Sequence, residues 1–280
     1  MAPGPGALYL VATPIGNLED VSARALRVLG EVAFVVCEDT RRSRILLDRH
    51  GLHPPLVSLP AFAEGERLGP ILDRLEGGED AALVTDAGTP AISDPGELLV
   101  AEAIRRGVRV VPVPGPSAAV AALSASGLPS RRFHFCGFLP RKGPERQALL
   151  EELAPLRATL IFYEAPGRLA ETLEDLAGAL GEDRRACVAR ELTKVHEELV
   201  RGALGGLRDR YLGREVLGEV VVLVEGRVGE ARWTEAEVRR ALEDGLSAGE
   251  KLKALSTQIA RRAGWSGQDV YRLGLSFKGR

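Results

Sequence analysis

Cysteine, histidine and long apolar runs are scarce in this chain, and each scarcity removes a class of function. Only three cysteines occur in 280 residues, Cys37, Cys136 and Cys187. They are odd in number, far apart and set in apolar runs ("FVVC", "FHFC", "ACVA"), which reads as buried strand thiols in a reducing compartment and not as a disulfide framework. The four histidines, His50, His53, His134 and His196, lack the paired spacings of a zinc site, so no metal is expected. No apolar run approaches the ~18 residues of a membrane span, and the opening "MAPGPGALYLVATP" has no charged n-region or long h-region. A cytoplasmic protein without membrane contact is the expectation. Neither G-x-G-x-x-G nor G-x-x-x-x-G-K-[ST] is present, which removes the common dinucleotide and P-loop readings. A net charge of −2 argues against a globally basic nucleic-acid binder, DNA included, although the charge is uneven: nine Lys/Arg against six Asp/Glu from Trp233 to Arg280 give +3 there and leave −5 elsewhere.

What is present is an alternation of short β-rich runs with helical stretches. "ALYLVA", "VAFVVC", "PLVSL", "DAALVT" and "VRVVPV" are separated by helical segments such as "RRSRILLDRHG", and continuous Val/Ile/Leu runs imply a mainly parallel sheet covered on both faces. A second α/β series runs from "FHFCGFL" to "GEVVVLVEG", after a Ser/Gly/Pro-rich join at "SASGLPSRR". Beyond "EARW" three short helices are predicted, over 234–245, 248–263 and 266–275, with Thr234/Glu237 and Ser266/Asp269 as capping boxes. The predicted fold class is thus two α/β domains, 1–123 and 124–230, with a helical tail at 231–280 that a helix-turn-helix-like arrangement would suit.

Four Gly/Pro loops, "TPIGNLEDVS", "CEDTRRSR", "TDAGTPAISDPG" and "VPGPSA", each follow a predicted strand in the first half, and "FYEAPGR" and "ARELTKVHEE" do so in the second. Parallel strands place such ends on one rim, where ligands of open α/β sheets sit. A cleft lined by backbone and hydroxyl groups, without the lysine of a phosphate clamp, suits a nucleoside with a neutral or zwitterionic tail.

In order over residues 8 to about 226, the segments "LYLVATPIGNLEDVS", "EDTR", "DAGTPAISDPG", "VPGPSA", "FYEAPGR" and "ARELTKVHEE" resemble the tetrapyrrole methylase family, and within it the bacterial 16S rRNA (cytidine-2′-O)-methyltransferases. The resemblance implies a class III S-adenosylmethionine methyltransferase fold, S-adenosylmethionine held between the two α/β domains of a homodimer, and methylation of a cytidine ribose in 16S rRNA, within the 30S subunit. Carried over by position, the cofactor contacts fall on Ile15, Thr89, Ile92, Ser117, Ala118, Tyr163, Ala189, Glu219 and Val220, and Asp86, Gly88 and Gly115 in the same loops join them as expected binding residues. Many relatives read Gly-Asp-Pro where this chain has Gly88-Thr89-Pro90, so Thr89 or Asp86 is left to supply the missing carboxylate's hydrogen bonds. Gly88 and Gly115 would let the backbone approach the ligand.

Removing a 2′-hydroxyl proton calls for a base, and Glu38, Asp39, Glu164, Glu191 and Lys194 are the candidates; an ion pair of Glu191 or Glu197 with Arg190 or Lys194 is the structural alternative. Phosphate contacts are expected from Arg41, Arg42 and Arg44 in "RRSR" and from Arg131, Arg132, Arg141, Lys142 and Arg146. In the tail, Lys251, Lys253, Arg261, Arg262 and Arg272 are expected on an outward basic face. Two alternatives stand beside this reading. A tetrapyrrole methyltransferase goes with an acidic or apolar cleft free of arginine clusters, against which "RRSR" counts. A non-catalytic RNA-binding assembly factor goes with lost cofactor loops.

Overall fold

The computed structural model describes residues 4–60, 62, 64–227, 233–263 and 265–276, the side chains of Arg261 and Arg262 excepted. The expected join at 230/231 and the side chains expected of Arg261 and Arg262 therefore lie outside the described residues.

The first half is a five-stranded sheet. Its strands are β1 (Ala7–Val11), β2 (Phe34–Cys37), β3 (Leu56–Ser58), β4 (Ala81–Leu83) and β5 (Arg109–Val113), in the order β3-β2-β4-β1-β5. Every pairing is parallel, as the unbroken apolar runs require, since helices must then cover both faces. Those helices are α1 (Ala23–Glu31), α2 (Thr40–Arg49), α3 (Glu64–Glu76) and α4 (Glu97–Arg105). Pro112, which lacks a ladder donor, sits on the edge strand β5, where its missing N–H costs least.

The second half is a mixed sheet of β6 (Phe133–Phe138), β7 (Thr159–Glu164), β8 (Arg185–Arg190), β9 (Glu198–Ala203) and β10 (Val220–Val224), ordered β6-β7-β10-β8-β9. Only β6 and β7 are parallel; β10 runs against both neighbours. Three helices accompany this sheet, α6 (Pro144–Leu153), α7 (Leu169–Leu180) and α8 (Leu204–Tyr211).

Between the halves runs α5 (Ala118–Ser126), sequence AAVAALSAS. The expected boundary at residue 123 falls inside it. Its small side chains permit close approach, and Ala119, Ala122 and Leu123 share a buried cluster with Ile161, Cys187, Ala189, Val221 and Leu223 of the second sheet. One apolar core thus joins the two halves. The three cysteines lie on strands, Cys37 and Cys187 buried and Cys136 only half-buried, on β6 at a bulge between Phe135 and Gly137.

The tail folds into α9 (Glu235–Ser247), α10 (Leu252–Ala263) and α11 (Gly267–Leu275) around its own core of Val238, Leu242, Leu255, Ile259 and Val270. Thr234 and Glu237 form a reciprocal capping box, and Ser266 accepts from the Asp269 amide. No helix among the described residues is long and apolar enough to cross a membrane.

Candidate functional site

A cavity of about 380 Å³ opens where the carboxyl ends of the first sheet face the second. That volume is within the ~300–1,000 Å³ of small-molecule sites. Eleven of the twelve expected cofactor positions line it: Ile15, Asp86, Gly88, Thr89, Ile92, Ser117, Ala118, Tyr163, Ala189, Glu219 and Val220. The antiparallel β10 explains the last two, because its start and not its end points into the cavity.

Local chemistry holds each loop in place. The first and third loops are stitched by reciprocal backbone bonds between Thr13 and Gly88, at 2.8 and 3.1 Å. Gly88 has φ +93°, a conformation costly to any residue with a Cβ. Thr89 donates its hydroxyl to the Pro116 carbonyl at 3.1 Å and so fastens the third loop to the fourth. At the loop's far end, buried Glu64 reaches from α3 to accept from the Gly96 and Leu99 amides at 3.1 and 3.0 Å, supplying the α4 cap that glycine cannot. Tyr163 packs edge-on against Phe135 and Phe138, with ring centroids at 4.9 and 5.8 Å, and its hydroxyl accepts from the Ala119 amide in the first turn of α5.

Across the cavity the halves touch closely. A Cβ on Gly16 would lie 2.5 Å from the Lys194 Cγ and 2.9 Å from the Leu192 carbonyl. The Asn17 amide donates to Thr193 Oγ1 at 3.1 Å, and a Cβ on Gly137 would stand 3.3 Å from Ser93 Oγ. Ala91, Ser93, Glu191 and Thr193 all have positive φ, between 51° and 65°. Such left-handed non-glycine residues cost about 1–3 kcal/mol each and gather at ligand clamps; here they fall in the two loops that face one another.

The cavity is rich in carboxylates. Glu38, Asp86, Asp94 and Glu219 line it, with Arg42 as a basic partner 3.3 Å from Asp86. Burial pushes the Glu38 carboxyl above the usual range, helped by the charges of Asp86 and Asp94 and opposed by Arg42. Burial likewise raises Asp86, against the pull of Arg42, and Asp94, against the nearby Thr85 hydroxyl. Such a site favours a ligand bearing a positive centre, with apolar flanks for a flat ring at Ile15, Ile92 and Tyr163.

Several expectations need correction. Gly115 does not line the cavity; a Cβ there would press on Ala12 Cβ at 3.0 Å, so its lack of a side chain serves the packing of β1. Asp39 lies outside the cavity as the cap of α2, held at a pKa of about 2 by the Arg41 side chain. Glu191 and Lys194 also lie outside, in the ion pair that was the structural alternative. Lys194 Nζ donates to Glu191 at 2.8 Å and to Glu219 at 3.1 Å, and the Glu219 amide donates to Glu191 at 2.9 Å. These bonds lower the Glu191 pKa and outweigh burial in raising that of Lys194, so neither is a ready base. Glu164 borders the cavity but is buried, accepting from Thr172 at 2.6 Å and the Ala165 amide at 2.8 Å. Of the base candidates, Glu38 alone is both in the cavity and uncommitted to a hydrogen bond.

The basic residues divide. Arg41 is exposed and bidentate to Asp39, and Arg42 reaches the cavity, whereas Arg44 is half-buried. Exposed Arg141 and Lys142 follow Phe138, on the cavity side of β6. Arg131 and Arg132 precede Phe133 at the opposite end of that strand, roughly 17 Å away at ~3.3 Å per residue. Arg146 is buried, bonded to Asp175 at 2.6 Å, the Pro140 carbonyl at 2.9 Å and Thr172 at 3.1 Å, so it is a core residue with no phosphate to meet.

The sequence reading passed over Asp94 and Ser93, although both lie within "TDAGTPAISDPG", and over Phe138, Leu192 and Gly218. It also missed an open groove beside the cavity where Arg41, Arg42 and Arg67 join Glu38, Asp39, Asp86 and Phe62, the last 91% exposed. Among the described residues no group of three His, Cys, Asp or Glu is placed to hold a metal ion.

The sequence profile of the Tetrapyrrole (Corrin/Porphyrin) Methylases matches residues 7–208. A protein of Mesorhizobium japonicum named ribosomal RNA small subunit methyltransferase I is 47% identical over 274 residues, 97% of this chain and 92% of that one. Its namesake in Pseudomonas aeruginosa is 52% identical over 223 residues, 79% of each chain. Among solved structures, a cobalt precorrin-4 methyltransferase superposes with a TM-score of 0.61 over 78% of this chain and 94% of its own, at 20% identity, a likeness of fold. The profile spans the whole first sheet, four of the five strands of the second and every loop that lines the cavity up to Leu192, so the chain belongs to the tetrapyrrole methylase family and has its fold of two α/β domains, with a C-terminal helical extension.

Proposed function

We propose that this chain is an S-adenosylmethionine-dependent methyltransferase that modifies a cytidine ribose 2′-hydroxyl of 16S rRNA, acting as a cytoplasmic homodimer on the 30S subunit. The observation that carries the reading is the carboxylate-lined cavity in a chain 41–52% identical to proteins named ribosomal RNA small subunit methyltransferase I. Its residues fit the cofactor's parts. Ile15, Ile92 and Tyr163 flank the adenine, Ser117 and the α5 amides face the methionine carboxylate at a helix N-terminus, and Asp86, Asp94 and Glu219 offset the sulfonium charge. Once bound, S-adenosylmethionine supplies an electrophilic methyl group.

The chain's own contribution is position and proton transfer. Glu38, with a raised pKa, accepts the 2′-hydroxyl proton as the oxygen attacks, and ends neutral in a setting that disfavours its charge. The Lys194–Glu191–Glu219 bonds fix the wall opposite. Arg41, Arg42 and Arg67 take phosphates along the groove, with Phe62 as a stacking platform. Half-exposed Val120 on α5 and Phe133 on β6 offer apolar surface for a second copy. The tail adds RNA affinity through Lys251, Lys253 and Arg272.

The tetrapyrrole alternative fits the carboxylates of the cleft but not its arginine: Arg42 stands in the cleft that this alternative wanted free of arginine, and Arg41 and Arg67 border the groove beside it. Mass mapping of ribose methylation in 16S rRNA from cells with and without the protein tests the assignment. A cytidine 2′-O-methyl group that disappears with the protein is the expected result, and an unchanged map refutes it.

A further inference from the structure

Behind the wall of the main cavity lies a second pocket of about 120 Å³, between the turn at Leu18–Asp20, α2 and the end of β4. Its sides are apolar, formed by Leu18, Leu29, Val35, Leu46, Leu47 and Val84. Three residues on its border each carry a buried polar atom with no partner at hydrogen-bond distance, Ser43 Oγ, Thr85 Oγ1 and Asp86 Oδ1. Ser43 is 7% exposed and Thr85 3%. The Cys37 thiol stands near the Ser43 hydroxyl, the Asp94 carboxyl near that of Thr85 and the Asp39 amide near the Asp86 carboxylate, none at full hydrogen-bond distance from the three atoms. Folded proteins pair almost every buried polar group, so three orphans in one small apolar pocket mark a place built for a ligand.

Position narrows the ligand. Arg42 and Asp86 border this pocket, the main cavity and the arginine groove alike. A nucleotide also has three parts meeting at one sugar. With the phosphate in the groove and the ribose at the methyl donor, the base is directed into the third space. At ~30 Å³ per water the pocket equals about four waters, the scale of one pyrimidine.

Resting on the activity proposed above, we propose that this pocket receives the extruded base of the nucleotide being methylated and reads it as cytosine. Enzymes that act on one nucleotide turn it out of the stack into such pockets and read its Watson–Crick edge. The leucine and valine walls take the ring faces. Asp86 Oδ1, an acceptor, accepts a hydrogen bond from the exocyclic N4 amine. The Ser43 and Thr85 hydroxyls, each donor or acceptor and sealed from solvent in the ligand-free chain, turn to meet N3 and O2. Uracil would set its O4 against the carboxylate, acceptor facing acceptor, and be rejected.

The test uses the full chain and 30S particles reconstituted with cytidine or uridine at the methylated position. Melting temperature and S-adenosylhomocysteine titration report that each variant is folded. The double variant S43A/T85V should lose about 10–100-fold in kcat/KM on the cytidine particle while its S-adenosylhomocysteine affinity stays within about twofold. Thr85→Ser should restore activity to the Thr85→Val single variant. Asp86→Asn should shrink the cytidine-over-uridine preference at least tenfold, since its amide can also donate. An active parent with an unmoved double variant and an unchanged preference overturns the base pocket alone, leaving only ordinary water there. A parent that methylates neither particle overturns the assigned activity itself.

Discussion

Replacing Arg146 by methionine separates a core arginine from an RNA-binding one. Its side chain is only 6% exposed, against 37% for Asp175, and it also serves the Pro140 carbonyl and Thr172. Methionine keeps most of the stem's packing but removes the guanidinium, so the cost is that of breaking a buried charged network, about 3–5 kcal/mol. Two features pull it to the lower end. Asp175 regains water, and Thr172 keeps its bond to Glu164, which retains Arg168 at 3.4 Å. A loss of about 3 kcal/mol lowers the melting temperature of a chain this long by roughly 6–12 °C. Scanning calorimetry measures it, and 30S binding at two salt concentrations, at a temperature where the variant is folded, should match the parent. A melting point within about 2 °C of the parent, with a salt slope reduced by about one, would mean that Arg146 contacts phosphate, and the burial argument would fail.

Four further outcomes are expected. Glu38→Gln should slow single-turnover methyl transfer about 10²–10⁴-fold and abolish the acidic limb of its pH profile, a limb that in the parent lies above the ordinary carboxylate range because the raised pKa delays ionisation; a limb unmoved by the substitution assigns the proton to another group. Asp94→Asn should stabilise the ligand-free chain at neutral pH, because a carboxyl whose folded pKa is raised loses stability as pH climbs through that value. The gain should fade below the usual carboxylate range, and a denaturation series showing it undiminished in acid would contradict this. Gly88→Val should weaken S-adenosylhomocysteine binding at least tenfold, because of its positive φ and its place on the cavity wall. Gly115→Val should mainly destabilise the chain by pressing on Ala12, and calorimetric titration of the pair distinguishes the two roles.

The sequence made the site legible where backbone chemistry and strand direction agree. Thr85 to Gly96 follows a buried strand in a parallel sheet, so its place on the ligand rim followed from the apolar run before it. What escaped depended on three-dimensional register. In "PRKGPER" three cations look alike, yet the start of α6 turns Arg146 inward while Arg141 and Lys142 stay in water. Arg131 and Arg132 are close to Arg141 in sequence but lie at the other end of β6, and only the strand's direction reveals it. Gly115 shares the glycine signature of Gly88, but its neighbour is the end of β1 and not a ligand space. Ser43 and Thr85 read as an ordinary helix serine and strand-end threonine until their lack of partners shows.

The contact at Gly16 has a consequence for how this protein answers to its medium. Because backbone and lysine stem meet there with no room for a methyl group, the gap between the sheets is set by hard atomic contact and a shared apolar core. Ionic strength alters such a gauge little, since the part-buried Lys194–Glu191 pair behind it is weakly screened, whereas the arginine groove is screened within ~8–10 Å at ordinary salt. Raising salt should therefore strip away the RNA while leaving the width of the cofactor space untouched, so a salt titration acts on one half of the reaction at a time.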